Sequence, residues 1–418
     1  MKVMLGLLAC AVCTAFADVA PDAFFTVRKK DDGRWTLVDP EGRDFYLRGV
    51  DHCKFDGFKD AGDGRFRYRE ANVARFGDDR RAWAKDVAGK FSAWRLNTVG
   101  INTKPTPELW ETGLAHLFFV WYDGFELTGK DLQIPPRFPN VFHPDWPRYC
   151  DELARKECVP RRDDRRLVGY FIGNELHWWG GGKGEWHTGL FTSVAEMPDS
   201  SFAKKALLAY TGGKTNVEQS VREGFVRLCA ERYFSVAAGA IRKYDRNHLV
   251  LGCRFMGLDG AATEGVLEVA AKHCDVLSVN IYPAVDLEGG RIWPNWRVRS
   301  GRLFHEAMEA KFGRVDKPFL VTEWSILGDR DVLGMCGGES QRRARAAAAF
   351  VRAMRDCRFI VGWDWFMWTD APRGGIDSPG QCTGNWGLVD EAGTPCEPLV
   401  NALRETGEPS SKEFCRNR

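Results

Sequence analysis

Long apolar runs are missing from nearly all of this sequence: beyond residue 17, no stretch approaches the about 20 uninterrupted apolar residues that a transmembrane helix needs. An excess of one charge is missing too. Lys and Arg number 59 against 57 Asp and Glu, a net of +2 over 418 residues. With no long basic stretch, this excludes the electrostatic footprint of a nucleic-acid partner or of an acidic lipid surface. No Cys-x-x-Cys occurs, and 13 cysteines spread over the chain make no disulfide framework. Cys253 and Cys274 lie in apolar strand-like runs where cysteine acts as a small buried hydrophobe; surface bridges among Cys336, Cys382 and Cys396 stay open. There is no His-Glu-x-x-His and no Gly-x-Ser-x-Gly, and the 8 histidines are scattered, so neither a metal nor a cofactor is expected. Gly213-Lys214-Thr215 is not a phosphate loop, because Leu208 stands where its first glycine is required.

What the sequence does hold is aromatic surface: 16 Trp, 27 Phe and 9 Tyr. So many indoles supply either flat faces for ring-shaped ligands or a Trp-rich core. Lys2, the apolar run Met4 to Ala15 and Ala15-Phe16-Ala17 read as a signal peptide over residues 1–17, which predicts a secreted or periplasmic protein without membrane insertion. Residues 18–45 read as a small β-hairpin layer, punctuated by Asp-Asp-Gly and Pro-Glu-Gly turns. Residues 46–408 read as one catalytic domain and 409–418 as a tail. Eight short apolar runs follow one another, ending near residues 51, 102, 122, 175, 255, 283, 325 and 370, with helical patterns at 79–94, 146–157, 217–243, 301–312 and 339–356. Strands this continuously apolar are buried on both faces. The alternation predicts an α/β fold, a (β/α)8 TIM barrel, with a doubly wound sheet as the alternative. Arginines of the last helix are expected on a solvated face.

In such a barrel the polar residues that end apolar strands form the active face. Run four ends Gly173-Asn174-Glu175-Leu176-His177-Trp178-Trp179, and run seven ends Thr322-Glu323-Trp324-Ser325. Either glutamate alone reads as an ion-paired surface residue. Together, across one barrel mouth, they match the carboxyl pair of retaining glycoside hydrolysis, one acid/base and one nucleophile about 5–5.5 Å apart. Glu175 is expected to keep its proton in a partly apolar setting beside its partner's charge, and Glu323 to stay ionised among donors. Asn174 is placed to bond the hydroxyl next to the reacting carbon, and Tyr282 to donate to Glu323. Further candidate sugar ligands are Asp51, His52, Asn102, His177, Arg254, Asn280 and Trp324, with Arg373 and Asp377 in the loop after run eight. Trp178, Trp179, Trp186, Trp293 and Trp296 either stack on pyranose rings or pack loops.

The set GYFIGNELHWWG, NHLVLGCRF, DVLSVNIYP, KPFLVTEWS, VGWDWFMWTD and NWGLVD resembles the clan A retaining glycoside hydrolases, and within them the β-agarase-related barrels, from about residue 24 to 405. The resemblance implies acid/base chemistry at Glu175 beside Asn174, a nucleophile at Glu323, and the strand-six tyrosine role at Tyr282. It also implies an aromatic floor after strand eight, for which Trp365 and Trp368 compete. Gly173 departs from the aspartate usual in agarases, and Thr322-Glu323-Trp324-Ser325 from their Gly-Glu-Phe-His type segment. The implied function is retaining cleavage of a β-linked galactan of agarose type; another β-glycan (mannan, glucan, xylan) or a non-catalytic glycan-binding barrel are the alternatives.

Overall fold

A computed structural model describes residues 23–102, 105–128, 131–135, 138–178, 189–258, 264–295, 300–326, 340–376, 378–380 and 382–406. The expected signal peptide and tail lie outside the described residues, as do Trp179, Trp186, Trp296, Cys336 and Asp377. At the N-terminus β1 (Thr26–Lys29), β2 (Trp35–Val38) and β3 (Asp44–Phe45) pair antiparallel. Gly33, at φ +81°, makes the tight turn between the first two.

All eight expected apolar runs form strands. β4 (Leu47–Val50) leads to α1 (Arg67–Phe76) and α2 (Arg80–Ala93), β5 (Thr98–Val99) to α3 (Pro107–Trp110), and β6 (Ala115–Phe119), after the small β7–β8 hairpin (Gln133–Ile134, Phe138–Pro139), to α4 (Trp146–Cys158). β9 (Leu167–Phe171) precedes α5 (Leu190–Glu196), α6 (Phe202–Thr211) and the long α7 (Gln219–Tyr244). The fifth run is split into β10 (Leu249–Val250) and β11 (Phe255–Met256), followed by α8 (Glu264–His273). β12 (Leu277–Asn280) leads through the hairpin β13 (Ala284–Asp286) and β14 (Arg291–Trp293) to α9 (Phe304–Phe312), β15 (Phe319–Trp324) to α10 (Ser340–Asp356), and β16 (Ile360–Trp365) to α11 (Glu397–Glu405).

Nine of these strands make one curled parallel sheet, ordered β10-β9-β6-β5-β4-β16-β15-β12-β11. Its two outermost strands belong to one stretch of chain, 249–256. Leu251 N donates to Tyr170 O (2.8 Å) on one side, while Arg254 N donates to Ser278 Oγ (2.9 Å) on the other. Each strand lies beside its sequence neighbours and the first beside the last, an order that a doubly wound sheet does not have.

Two apolar layers hold this arrangement. Inside the curl, Leu47, Leu117, Val168, Phe171, Leu251, Val276, Leu320 and Val361 pack together, and Phe25 and Leu37 from the hairpin layer close the end away from the strand C-termini. Outside it, the alternate strand residues meet the helices. One expectation fails on α10. Arg343 is buried, donating from Nε to Ile326 O (2.5 Å) and from Nη2 to Gly387 O (3.3 Å), and so belongs to the packing between helix and loop rather than to the solvated face. Among the described residues no helix is long and apolar enough to cross a membrane.

Candidate active site

Three residues at strand ends take left-handed backbone that side chains rarely adopt: His52 (φ +58°), Glu175 (φ +52°) and Arg254 (φ +46°). Each such residue costs about 1–3 kcal/mol and persists only when its surroundings fix it. Glu175 is fixed from both sides. Its N–H donates to Arg254 O (3.1 Å), and the preceding Asn174 N–H donates to Asp123 Oδ2 (2.9 Å). Gly173 is forced by the same contacts, since a Cβ there would lie 2.3 Å from the Tyr233 hydroxyl and 3.0 Å from Asp123 Oδ1. A carboxylate absent at 173 is thus supplied next to it by Asp123.

The two glutamates meet at one side chain. Asn280 Nδ2 lies 3.0 Å from Glu175 Oε1 and 3.2 Å from Glu323 Oε2, with Asn174 Oδ1 at 3.4 Å. These two oxygens are therefore no farther apart than the two bonds laid end to end, about 6 Å. Thr322 Oγ1 donates to Asn280 Oδ1 (3.0 Å), which sets the amide so that its nitrogen faces the carboxylates. Glu323 also accepts from the Tyr282 hydroxyl (Oε1, 2.6 Å) and from Arg254 Nη2 (Oε2, 3.2 Å). Burial, followed by the charge of Glu323, pushes the Tyr282 hydroxyl well up, so it stays a donor.

Beneath this pair is a buried charge cluster. Arg254, 1% exposed, donates from Nη2 to Asp51 Oδ2 (2.8 Å) and Thr322 O (2.6 Å) as well as to Glu323. Burial alone would weaken its charge; Asp51 and Glu323 overcome that and raise its affinity for the proton. Asp51 also accepts from Ile101 N (3.0 Å), and burial, partly offset by Arg254 and reinforced by Glu323, brings its carboxyl up to about 7. Asp364 is stranger. It is 1% exposed and neither oxygen has a hydrogen-bond partner; burial first, and then the charge of Asp51, push it well above the usual carboxylate range. Its carboxyl occupies the space a side chain at Gly49 would fill, 1.6 Å from a Cβ placed there.

Of the expected site residues, Glu175, Glu323, Asn174, Tyr282, Asn280 and Arg254 come together. Asn280 and Arg254, though, face the carboxylates rather than an open cleft. His52 lines the mouth, half-buried and edge-on to Phe58 and Phe366 at 5.4 Å each, and burial pushes its imidazole down to about 3, so it is neutral. Asn102 holds its own loop, donating to Cys53 O (3.1 Å) and Thr106 Oγ1 (3.0 Å). His177 is buried.

The indoles need correction. Trp365 (0% exposed) packs on Trp324 and donates to Trp386 O, and Trp368 donates to the Tyr68 hydroxyl beneath Phe91 and Trp94. Trp324 is wedged among Phe350, Trp363 and Trp365, and Trp178 among Phe138, Tyr233, Phe234 and Phe255. None offers a face to solvent. Trp293 is buried as well, while Arg373 is exposed. Half-buried Phe366 and Trp386 stand beside Tyr282 instead, with ring centroids 6.4 and 5.8 Å from it. Asp364, Asp123, Phe366 and Trp386 were not singled out from the sequence; the NWG segment was its trace of Trp386. Among the described residues no group of three or more His, Cys, Asp or Glu is arranged to hold a metal.

The fold of the chain is similar to that of solved agarase structures. The chain superposes on the crystal structure of an agarase with a TM-score of 0.74 and 20% identity, covering 92% of this chain and 63% of that one. An exo-β-agarase gives 0.75 and 18%, covering 93% and 65%. In sequence it is similar to β-agarase B of Vibrio sp. (strain JT0107), 22% identical over 90% of this chain and 47% of the relative. The chain therefore spans about half the length of the curated relatives it matches. No protein-family profile matches it.

Proposed function

We propose that this chain is a retaining glycoside hydrolase that cleaves β-linked, agarose-type galactan outside the cytoplasm, without a cofactor. The single observation that carries the reading is the Asn280 nitrogen bonded to both Glu175 and Glu323, which brings one oxygen of each carboxyl within about 6 Å of the other and supports a double displacement over an inverting geometry. The similarity to agarases supports the substrate class. The sheet is read as a (β/α)8 barrel: its fifth strand is split at 251–254, and pairing from both halves of 249–256 supports closure.

In this reading Glu323, held by Tyr282, Asn280 and Arg254, attacks the anomeric carbon while Glu175 passes its proton to the leaving oxygen. Water then attacks the glycosyl–Glu323 ester; Glu175 takes a proton from that water, and the sugar leaves with its original anomeric configuration. Asn174 bonds the neighbouring hydroxyl, and His52, Phe366 and Trp386 wall the reacting ring. The apolar leader over residues 1–17 supports export.

The test is sugar release from agarose, porphyran, carrageenan, galactan, mannan, xylan and β-glucan, with proton NMR of the first product. The expectation is cleavage of a galactan, with β-anomer appearing first, and loss of at least about a thousandfold in Glu323→Gln. Silence across the panel, first release of the α-anomer, or unchanged rates in the variant would overturn the proposal.

A further inference from the structure

Thirteen tryptophans lie among the described residues, and Trp121 is the one that is exposed, at 42%. Its position follows from strand alternation. On β6, Leu117 and Phe119 face the interior of the curl, while Phe118, Val120 and Tyr122 face the helices. Trp121 therefore continues the inner row one step past the strand's end, in the mouth where Glu175 and Glu323 sit. The side chain is also propped. Phe119 meets the indole edge-on at 4.6 Å, and Gly124 lies so close that a Cβ there would be 2.9 Å from Trp121 Cδ1. Its backbone is held as well, with the Tyr149 hydroxyl donating to Trp121 O (3.3 Å), and two residues on Asp123 binds Asn174 N. An indole supported on one side and open on the other has the form of a stacking surface fixed before its ligand arrives.

The sheet order tells which side of the cleaved bond it serves. In the proposed reaction Glu323 works at the anomeric carbon and Glu175 at the leaving oxygen, so the line from Glu323 to Glu175 points towards the leaving sugar. With the curl closed through 249–256, β15 is three strands from β9 by way of that segment and β12 and five by way of β6, so β6 flanks β9 on the side opposite the shorter path to β15. Trp121 is thus beyond Glu175 as seen from Glu323.

We propose that Trp121 is a stacking platform for a pyranose ring on the leaving-group side of the cleaved bond. The inference rests on the hydrolase reading above and adds a subsite to it. Apolar C–H faces of galactose-type rings are its ligand chemistry, and the same surface receives an acceptor sugar when the glycosyl group is passed to a hydroxyl other than water's.

The experiment compares the full chain with Trp121→Ala and Trp121→Phe on agaro-oligosaccharides of two to eight sugars, measuring kcat/KM against length and the ratio of transfer to hydrolysis. Binding of the same oligosaccharides to each variant in a Glu323→Gln background is measured by calorimetry. Expected for Trp121→Ala is an about tenfold smaller gain in kcat/KM, or in affinity, from the shortest to the longest sugar, and an about tenfold lower transfer ratio, with Trp121→Phe restoring most of both. Hydrolysis with an unchanged length profile overturns the platform and leaves the hydrolase reading standing. A lost length gain with an unchanged transfer ratio places the indole on the other side and overturns the assignment. Absence of both hydrolysis and binding in the parent chain overturns the hydrolase reading, and the platform with it.

Discussion

Asn280 is uncharged and 2% exposed, yet it bridges the two carboxylates, because an amide nitrogen has two hydrogens and both glutamates lie within reach of them. Asp364 poses the opposite problem, a buried acid with nothing bonded to it. A carboxyl whose affinity for its proton is higher folded than unfolded contributes stability that is complete below the unfolded value of about 4 and is lost as pH rises through the folded value. Asp51, brought up to about 7, acts in the same direction over pH 4 to 7. The neutral imidazole of His52 acts the other way, adding stability as pH rises towards 6.5, so the expected outcome is a difference: between pH 4 and 8 the urea midpoint of Asp364→Asn should fall less, or rise more, than that of the parent chain. An identical slope in the variant would show that Asp364 is not a source. The strand-end glutamates were legible because a charge terminating an apolar run is a local pattern. The floor residue was not: pairing of β15 with β16 shifts register twice, and each one-residue shift moves side chains to the other face, so Phe366 rather than Trp365 reaches the mouth.

At the level of elements, the hairpin layer closes the end of the curl opposite the site. Phe25 (1% exposed) and Leu37 (0%) are packed among inward residues of six sheet strands, so the layer is part of the core. Phe25→Ala should lower unfolding stability by about 3–5 kcal/mol, because it removes a buried ring and leaves a cavity among strands that cannot collapse. Urea denaturation checks this, and a loss below about 1 kcal/mol would mean the layer merely rests on the sheet. Five helices were read from period and length, with ends within a few residues of those found. The pattern was weaker for α5, α6 and α8, which are short, and for α1, whose buried positions include the polar Asn72 bonded to Phe55 O (2.8 Å).

At the scale of the molecule, the described core is held by packing, and eight of its cysteines form no bridge. Leaving Cys382 aside, the eight other cysteines among the described residues are free, seven of them buried and Cys396 half-buried. Reductant should leave the urea midpoint unchanged. Losing a native disulfide typically costs about 2–5 kcal/mol, so a clear drop would reveal a bridge made outside the described residues. The proposed site draws on seven strand ends: Asp51 after β4, Asp123 after β6, Glu175 after β9, Arg254 between β10 and β11, Asn280 at the end of β12 with Tyr282 just beyond it, Glu323 from β15 and Asp364 from β16.

The amino-acid order by itself determined the eight core strands, their alternation with helices and the two glutamates at strand ends, because burial on both faces and a polar terminus are written in a few adjacent residues. Only the tertiary structure decided that Arg254 reaches Asp51 across 203 positions and Glu323 across 69, that one asparagine spans both carboxyls, and that one indole stays outside while its neighbours go in. Those outcomes depend on where the curled sheet brings distant strand ends together and on local shifts of register, neither of which any single segment specifies.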